Sequence, residues 1–194
     1  MFKDLITSEV RVKVLKSFFG SLGKPIHVRE LTRLVGTEIN AVRRELDRFS
    51  RVKLVEKEKV GNRVYYSIRR DYRYFNELLA LYEKDYGLSG LILFQHSNLG
   101  KIKFGLISRE FLLGRKTTPE NIDLFLVGAV DLKELGKVVA EGEKRIKKEI
   151  NYTVMGEEEF EFRKRRLDSF ITKILTQSRI IFIGDEDKYC RIEN

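Results

Sequence analysis

Cysteine, tryptophan and proline are nearly missing from these 194 residues: one Cys, no Trp and two Pro, with only two His and two Met. Cys190 alone cannot form a disulfide within the chain. With His27 and His96 far apart, it also leaves too few soft ligands for a zinc or metal-sensing site. A single unpaired thiol fits a reducing compartment, so a cytoplasmic protein is expected. Two prolines and fourteen glycines exclude collagen-like and Pro- or Gly/Ser-rich low-complexity chains. No apolar run nears the ~18 residues needed to cross a bilayer, so no membrane partner is expected. The start Met-Phe-Lys-Asp-Leu does not read as a secretory signal. No Walker-type loop, Gly-x-Gly-x-x-Gly, Ser/His/Asp constellation or internal repeat is present, and no cofactor is expected.

What is present is charge. Charged residues make up 35% of the chain and Lys+Arg outnumber Asp+Glu by 38 to 29, a net +9. Such a surplus points to a polyanionic partner. High charge with little Cys or Gln also leans toward a thermophilic or archaeal source. The surplus is lopsided: residues 1–87 carry 19 cations against 12 acids, and residues 88–194 carry 19 against 17. Two domains with different tasks follow, the first built around a polyanion. At 42% hydrophobic content, the chain can bury a core for each.

In the first half, Ser8 is positioned to cap a helix whose Val10, Val14, Leu15, Phe18 and Phe19 make an apolar face ending at Gly20. A short helix follows, with Val28, Leu31 and Val35 on one side and Gly36 beyond its end. Thr37 then reads as the cap of a third helix burying Ile39, Val42, Leu46 and Phe49. The opposite face of that helix holds Asn40, Ala41, Arg44, Asp47 and Arg48, flanked by Arg43 and Arg51. Asn and Arg bond base edges in pairs, Arg also grips phosphate, and Ala41 lets the backbone sit deep in a groove. Such a face is equally an ordinary solvated helix surface.

Two β-prone runs, Val55–Val60 and Arg63–Ile68, flank Gly61-Asn62 and predict a hairpin. Val64, Tyr66 and Ile68 would form its buried face, with Lys57, Lys59, Asn62 and Arg63 near the tip. The order helix, helix-turn-helix, hairpin over about residues 5–70 resembles the winged helix-turn-helix of ArsR-like repressors, and Gly61-Asn-Arg-Val-Tyr-Tyr-Ser-Ile68 is similar to their wing. The resemblance implies a DNA-binding regulator of double-stranded DNA. Asn40, Arg44 and Arg48 would contact bases, with Ala41 against the groove. Arg43, Arg51, Lys57, Lys59 and Arg63 would lie along the backbone, with Asn62 among the DNA-binding residues at the hairpin tip. It also implies a homodimer reading two half-sites. Residues 71–87 are expected as a connecting helix whose Tyr72, Phe75, Leu79, Tyr82 and Tyr86 form a seam, packed on its own domain or on a second copy. Gly87–Gly90 is the expected hinge.

Over residues 88–194, Ser89 reads as the cap of a short helix to about Gln95. Strands are expected at Lys101–Ser108, Ile122–Val127, Tyr152–Met155 and Arg179–Ile183. Helices are expected at Asp131–Ile146, Glu157–Arg166 and Asp168–Thr176, giving a small sheet covered by helices. The fold class is therefore α+β: a winged helix-turn-helix plus a small mixed α/β sheet domain. Asp131 and Glu134 have the spacing of a capping box. Arg163–Arg166 follow Glu159 and Glu161 at i,i+4 spacing and read as a solvated, paired face rather than a nucleic-acid patch.

The strand order, with Asn121-Ile-Asp-Leu-Phe-Leu-Val-Gly128 and the closing Ile180-Ile-Phe-Ile-Gly-Asp-Glu-Asp187, resembles a minimal nucleotidyltransferase of the DNA polymerase β superfamily. That family carries Gly-Ser on the first strand–helix turn and Asp-x-Asp on the next strand, to cradle phosphates and hold Mg²⁺. Here Arg109 and Glu110 stand at the Gly-Ser positions and Asn121 at the first Asp; Asp123 keeps the second. Asn151–Met155 offers no carboxylate in place of the third. The resemblance thus implies a degenerate nucleotidyltransferase site, with no catalytic residues and no metal. The alternative is an active nucleotidyltransferase of toxin–antitoxin type, rebuilding a metal site from Asp123 with Glu120 or Glu110 and modifying a protein or RNA. A further alternative is a regulator that senses a nucleotide effector.

Overall fold

The structure, a computed structural model, describes Asp4, residues 6–114 and residues 121–191. It is α+β and divides into two compact units, Met1–Tyr86 and Gly87–Asn194.

The first unit runs α1 (Glu9–Phe19), β1 (Ile26–His27), α2 (Val28–Val35), α3 (Ile39–Arg51), β2 (Val55–Val60), β3 (Arg63–Ile68) and α4 (Phe75–Tyr86). Ser8 caps α1, its hydroxyl accepting the Arg11 amide at 3.3 Å. Val12, Val14, Leu15, Phe18 and Phe19 turn into the core, while Val10 stays half-buried. Gly36 ends α2 at φ +67°, the left-handed conformation that closes a helix most readily when no Cβ is present. The N-cap of α3 is Glu38 rather than Thr37, and no side chain closes that end. Glu38, not Thr37, is the last residue in extended conformation before the helix, and that position defines the cap.

β2 and β3 pair from Val55↔Ile68 to Val60↔Arg63, leaving Gly61-Asn62 as a two-residue turn. Gly61 has φ +59° and Asn62 does not share the positive sign, which fits a type II′ turn with Gly first. β1 pairs with β3 through Ile26↔Tyr66 and His27↔Tyr65, so the sheet order is β1-β3-β2. Three helices and this sheet follow in the order expected of a winged helix-turn-helix. The hairpin's buried face is shorter than its alternation predicts: Ile68 and Val55 are buried, whereas Val64 and Tyr66 are half-buried. The hairpin extends past the helices that would cover it.

α4 packs within its own unit. Phe75 and Leu79 are buried, and the Phe19 ring lies 5.8 Å from Phe75 and 5.7 Å from Tyr82. Burial, reinforced by the Glu83 carboxylate, pushes the Tyr82 hydroxyl up to about 12. Tyr72 and Tyr86 remain half-buried.

The second unit runs α5 (Leu88–Phe94), a short 3-10 turn (His96–Asn98), β4 (Gly100–Ser108), α6 (Arg109–Leu112), β5 (Leu124–Val130), α7 (Leu132–Ile146), β6 (Tyr152–Met155), α8 (Glu157–Arg165), α9 (Ser169–Thr176), β7 (Arg179–Ile183) and α10 (Glu186–Cys190). Its sheet order is β6-β5-β4-β7, antiparallel except for β5–β6. Leu124–Val127 are fully buried, as a central strand covered on both faces requires. Phe104, Leu106, Phe125 and Val127 meet Phe160, Ile171, Ile174, Leu175 and Tyr189 in one core. α5 starts after Gly87, so Leu88–Gly90 are helical rather than a hinge, and Ser89 is buried inside the helix instead of capping it. β5 begins two residues later than expected; the Asp123 amide donates to the Asn151 carbonyl at 2.7 Å and its carbonyl accepts the Ser108 amide at 2.8 Å. Asp131 caps α7 by accepting the Lys133 and Glu134 amides at 2.9 and 3.0 Å. Its box is half closed: Glu134 pairs with Lys137 at 2.7 Å. On α8, Glu159 pairs with Arg163 at 2.7 Å, but Glu161 meets Lys164 at 3.6 Å rather than Arg165.

Candidate nucleic-acid interface

α3 sorts its side chains by depth. Val42 and Leu46 are fully buried and Phe49 nearly so, with Ile39 half-buried at the open end. Asn40, Arg43, Arg44, Asp47, Arg48 and Arg51 are exposed, and Ala41 is half-buried between the two sides. The apolar stripe against α1 and α2 therefore aims the polar stripe outward.

Glu45 interrupts the inner face. Its carboxylate accepts Arg11 Nε at 2.8 Å and Arg11 Nη2 at 3.3 Å, and the Ser8 hydroxyl donates to it at 3.4 Å. This two-pronged pair ties α3 to the start of α1 and fixes the helix's rotation. Arg48 also reaches Glu45, at 3.5 Å. The α3 arginines consequently divide: Arg48 leans back on its own helix, Arg43 turns toward the hairpin, and Arg44 points outward with Asn40.

The hairpin separates its charges by register. Lys57 is opposite Tyr66 and Lys59 opposite Val64, on the face that holds buried Val55, Ile68 and Ile26. Glu56 and Glu58 are opposite Ser67 and Tyr65, on the reverse face, where the Ser67 hydroxyl donates to Glu56 at 3.1 Å. Asn62 and Arg63 are exposed at the turn.

Between the hairpin and α2 lies a cleft of about 420 Å³, lined by His27, Val28, Arg29, Arg43, Asn62, Arg63, Val64 and Tyr66. β1 stops at His27, where the chain turns into α2, so β3 keeps an uncovered edge at Arg63–Val64. His27 caps α2: its Nδ1 accepts the Arg29 amide at 3.3 Å, and its ring sits 5.5 Å from Tyr65. Burial raises the Tyr66 hydroxyl above its ordinary value; the Asp47 carboxylate adds to this and Arg43 opposes it. His27 and Arg29 carry no motif that would have singled them out; only the fold brings them beside Arg43 and Arg63.

In the second unit, Arg109 opens α6 directly after β4, capped by Ser108, whose hydroxyl accepts the Phe111 amide at 3.5 Å. Arg109, Glu110 and Asn121 are half-buried. Asp123 is 1% exposed. One carboxylate oxygen accepts the Asn151 amide at 3.0 Å, stitching the start of β5 to the approach of β6, and the other is buried without a hydrogen bond. Burial raises its carboxyl above the ordinary range, opposed by the Asn151 amide and the Lys148 charge. Glu120 lies outside the described residues. Among the described residues no three His, Cys, Asp or Glu side chains gather as metal ligands, and no helix is long and apolar enough to cross a membrane.

No known protein family and no curated protein matches the sequence. Two solved structures resemble the fold. Reduced HlyU from Vibrio cholerae N16961 is 23% identical, over 41% of this chain and 75% of that one, at a TM-score of 0.33. Human N-acetylserotonin methyltransferase in complex with SAM is 13% identical, over 89% of this chain and 45% of that one, at a TM-score of 0.30. At such scores neither likeness carries an argument about activity.

Proposed function

We propose that this chain is a sequence-specific DNA-binding regulator, with a second unit of nucleotidyltransferase type that has lost the reaction. One observation carries the reading: α3 is anchored by an apolar stripe and a part-buried ion pair, and presents Asn40 and Arg44 beside a hairpin whose lysines share one face. An α-helix fits the major groove, and Asn and Arg read adenine and guanine there. Lys57, Lys59, Arg51 and Arg63 then follow the backbone. Selection of bound sequences from random duplexes supplies a site. On that site Arg44→Ala should weaken binding by ~1–3 kcal/mol with little effect on random DNA, while Lys59→Ala should lower both and flatten the salt dependence. Equal losses on both DNAs for both variants would overturn the assignment.

The second unit supports loss of catalysis through Asp123. A Mg²⁺-binding carboxylate has to face the substrate phosphates, and this one is enclosed and engaged with Asn151. Asn121 offers a neutral amide at the partner position, and Arg109 and Glu110 put long side chains where a backbone should meet phosphate. Incubation with labelled ATP or CTP and Mg²⁺ should transfer no label. Transfer that disappears in Asp123→Ala would restore the enzyme reading. Stabilisation by nucleotide without turnover would make this unit a sensor. A homodimer in the cytoplasm is the form this reading implies.

A further inference from the structure

The cleft between α2 and the hairpin gathers three guanidinium groups and no carboxylate. Arg29 comes from the start of α2, Arg43 from α3 and Arg63 from β3, and all three are exposed. None makes an ion pair among the described residues, although the first unit holds Glu30, Glu38, Asp47, Glu56 and Glu58 nearby in sequence. Glu56 and Glu58 sit on β2, which lines none of the cleft. Asp47 reaches the Tyr66 hydroxyl electrostatically but is outside the lining. Six other arginines, Arg11, Arg48, Arg69, Arg145, Arg163 and Arg179, do meet acids. Three cations held around one cleft repel one another, and a shared anion turns that repulsion into attraction. Guanidinium forks match the tetrahedral oxygens of phosphate in pairs. Asn62 and His27 add polar groups to the same lining.

We propose that this cleft is a single phosphate-binding site in which Arg29, Arg43 and Arg63 act on one phosphate group. The phosphate belongs to a DNA backbone or to a free phosphorylated molecule. The DNA case deepens the regulator reading and rests on it; the free-ligand case stands apart from it. Three arginines spread along a duplex would each neutralise their own phosphate. A shared site neutralises only one.

The test uses the full chain and the variants Arg29→Gln, Arg43→Gln, Arg63→Gln, the pair Arg29→Gln/Arg63→Gln and the triple, with melting temperatures measured to verify folding. Binding of a random-sequence duplex is followed over a series of KCl concentrations. The log K against log[salt] slope should fall by ~0.9, one phosphate, in the pair and in the triple alike. A loss near 2.7 in the triple, three independent phosphates at the same ~0.9 each, would overturn the shared site. In a second arm, pyrophosphate is titrated calorimetrically without DNA. Saturable binding that the triple variant abolishes supports the site even if the chain binds no duplex, in which case the regulator reading falls alone. Absence of both the one-phosphate slope loss and pyrophosphate binding would end the proposal. Should the triple fail to fold, the pair decides.

Discussion

One buried carboxylate in each unit, Glu45 and Asp123, ties separate segments together, and the sequence shows neither as buried. Val42 and Leu46 are legible because their spacing repeats locally; Glu45 lies in the same inward sector, and its partner Arg11 is 34 residues away. Only tertiary packing makes a charge acceptable there, by surrounding it with a guanidinium and a hydroxyl. Asp123 is legible as a motif position but not as a buried clamp, because its bond to the Asn151 amide depends on how two loops meet. Its folded-state carboxyl lies above the ordinary 3.8, burial being the main cause. The folded protein therefore holds this proton more tightly than the unfolded chain. The contribution to stability is full below 3.8 and is lost as pH rises through the folded value. Asp123→Asn should remove that dependence. The difference in unfolding free energy between wild type and variant, measured by urea titration at a series of pH values, should slope through this window and level off above it. A flat difference would show that the carboxyl titrates alike in both states.

At the level of elements, the strands and helices were readable because periodicity, a Gly-Asn turn and capping acids agree. Starts were readable less well. Ser89 has a capping side chain but sits inside a buried helix, and Thr37 lies one residue too early. A cap is decided by where the backbone leaves its extended conformation, which composition does not record. The bulge in β4 is likewise hidden. Register slips between Ile102 and Phe104, opposite Gly128, whose φ is +139°. A Cβ at Gly128 would collide with the Lys101 carbonyl oxygen, so the residue is required by both conformation and space. Gly128→Ala should cost roughly 1–3 kcal/mol or more of stability, combining strain at an unfavourable φ with displacement of the paired strand. Gly61→Ala, at φ +59° with open space around it, should cost about 1 kcal/mol. Chemical denaturation of both variants tests the ordering; equal losses would mean that β4 yields to the added methyl.

For the whole molecule, the distribution of charge makes the strongest statement about task. The first unit carries most of the net positive charge, and it also holds its own core, from Val12 and Phe18 on α1 to Phe75 and Leu79 on α4. Counterion release depends only on which phosphates are neutralised, so the salt dependence of DNA binding should reside in this unit. Residues 1–86 produced alone should bind random duplex with the per-chain salt slope of the full protein, and residues 87–194 should bind with little or no slope. Affinity for a selected site tests something different. If the second unit or α4 joins two copies, linking two binding surfaces raises affinity through effective concentration without adding a contact to DNA. The fragment would then keep its slope per chain and lose affinity on a two-half-site duplex, while matching the full chain on a single half-site. A fragment that folds but shows no salt dependence would place the polyanion partner elsewhere, and the cationic face of α3 and the hairpin would be an ordinary solvated surface.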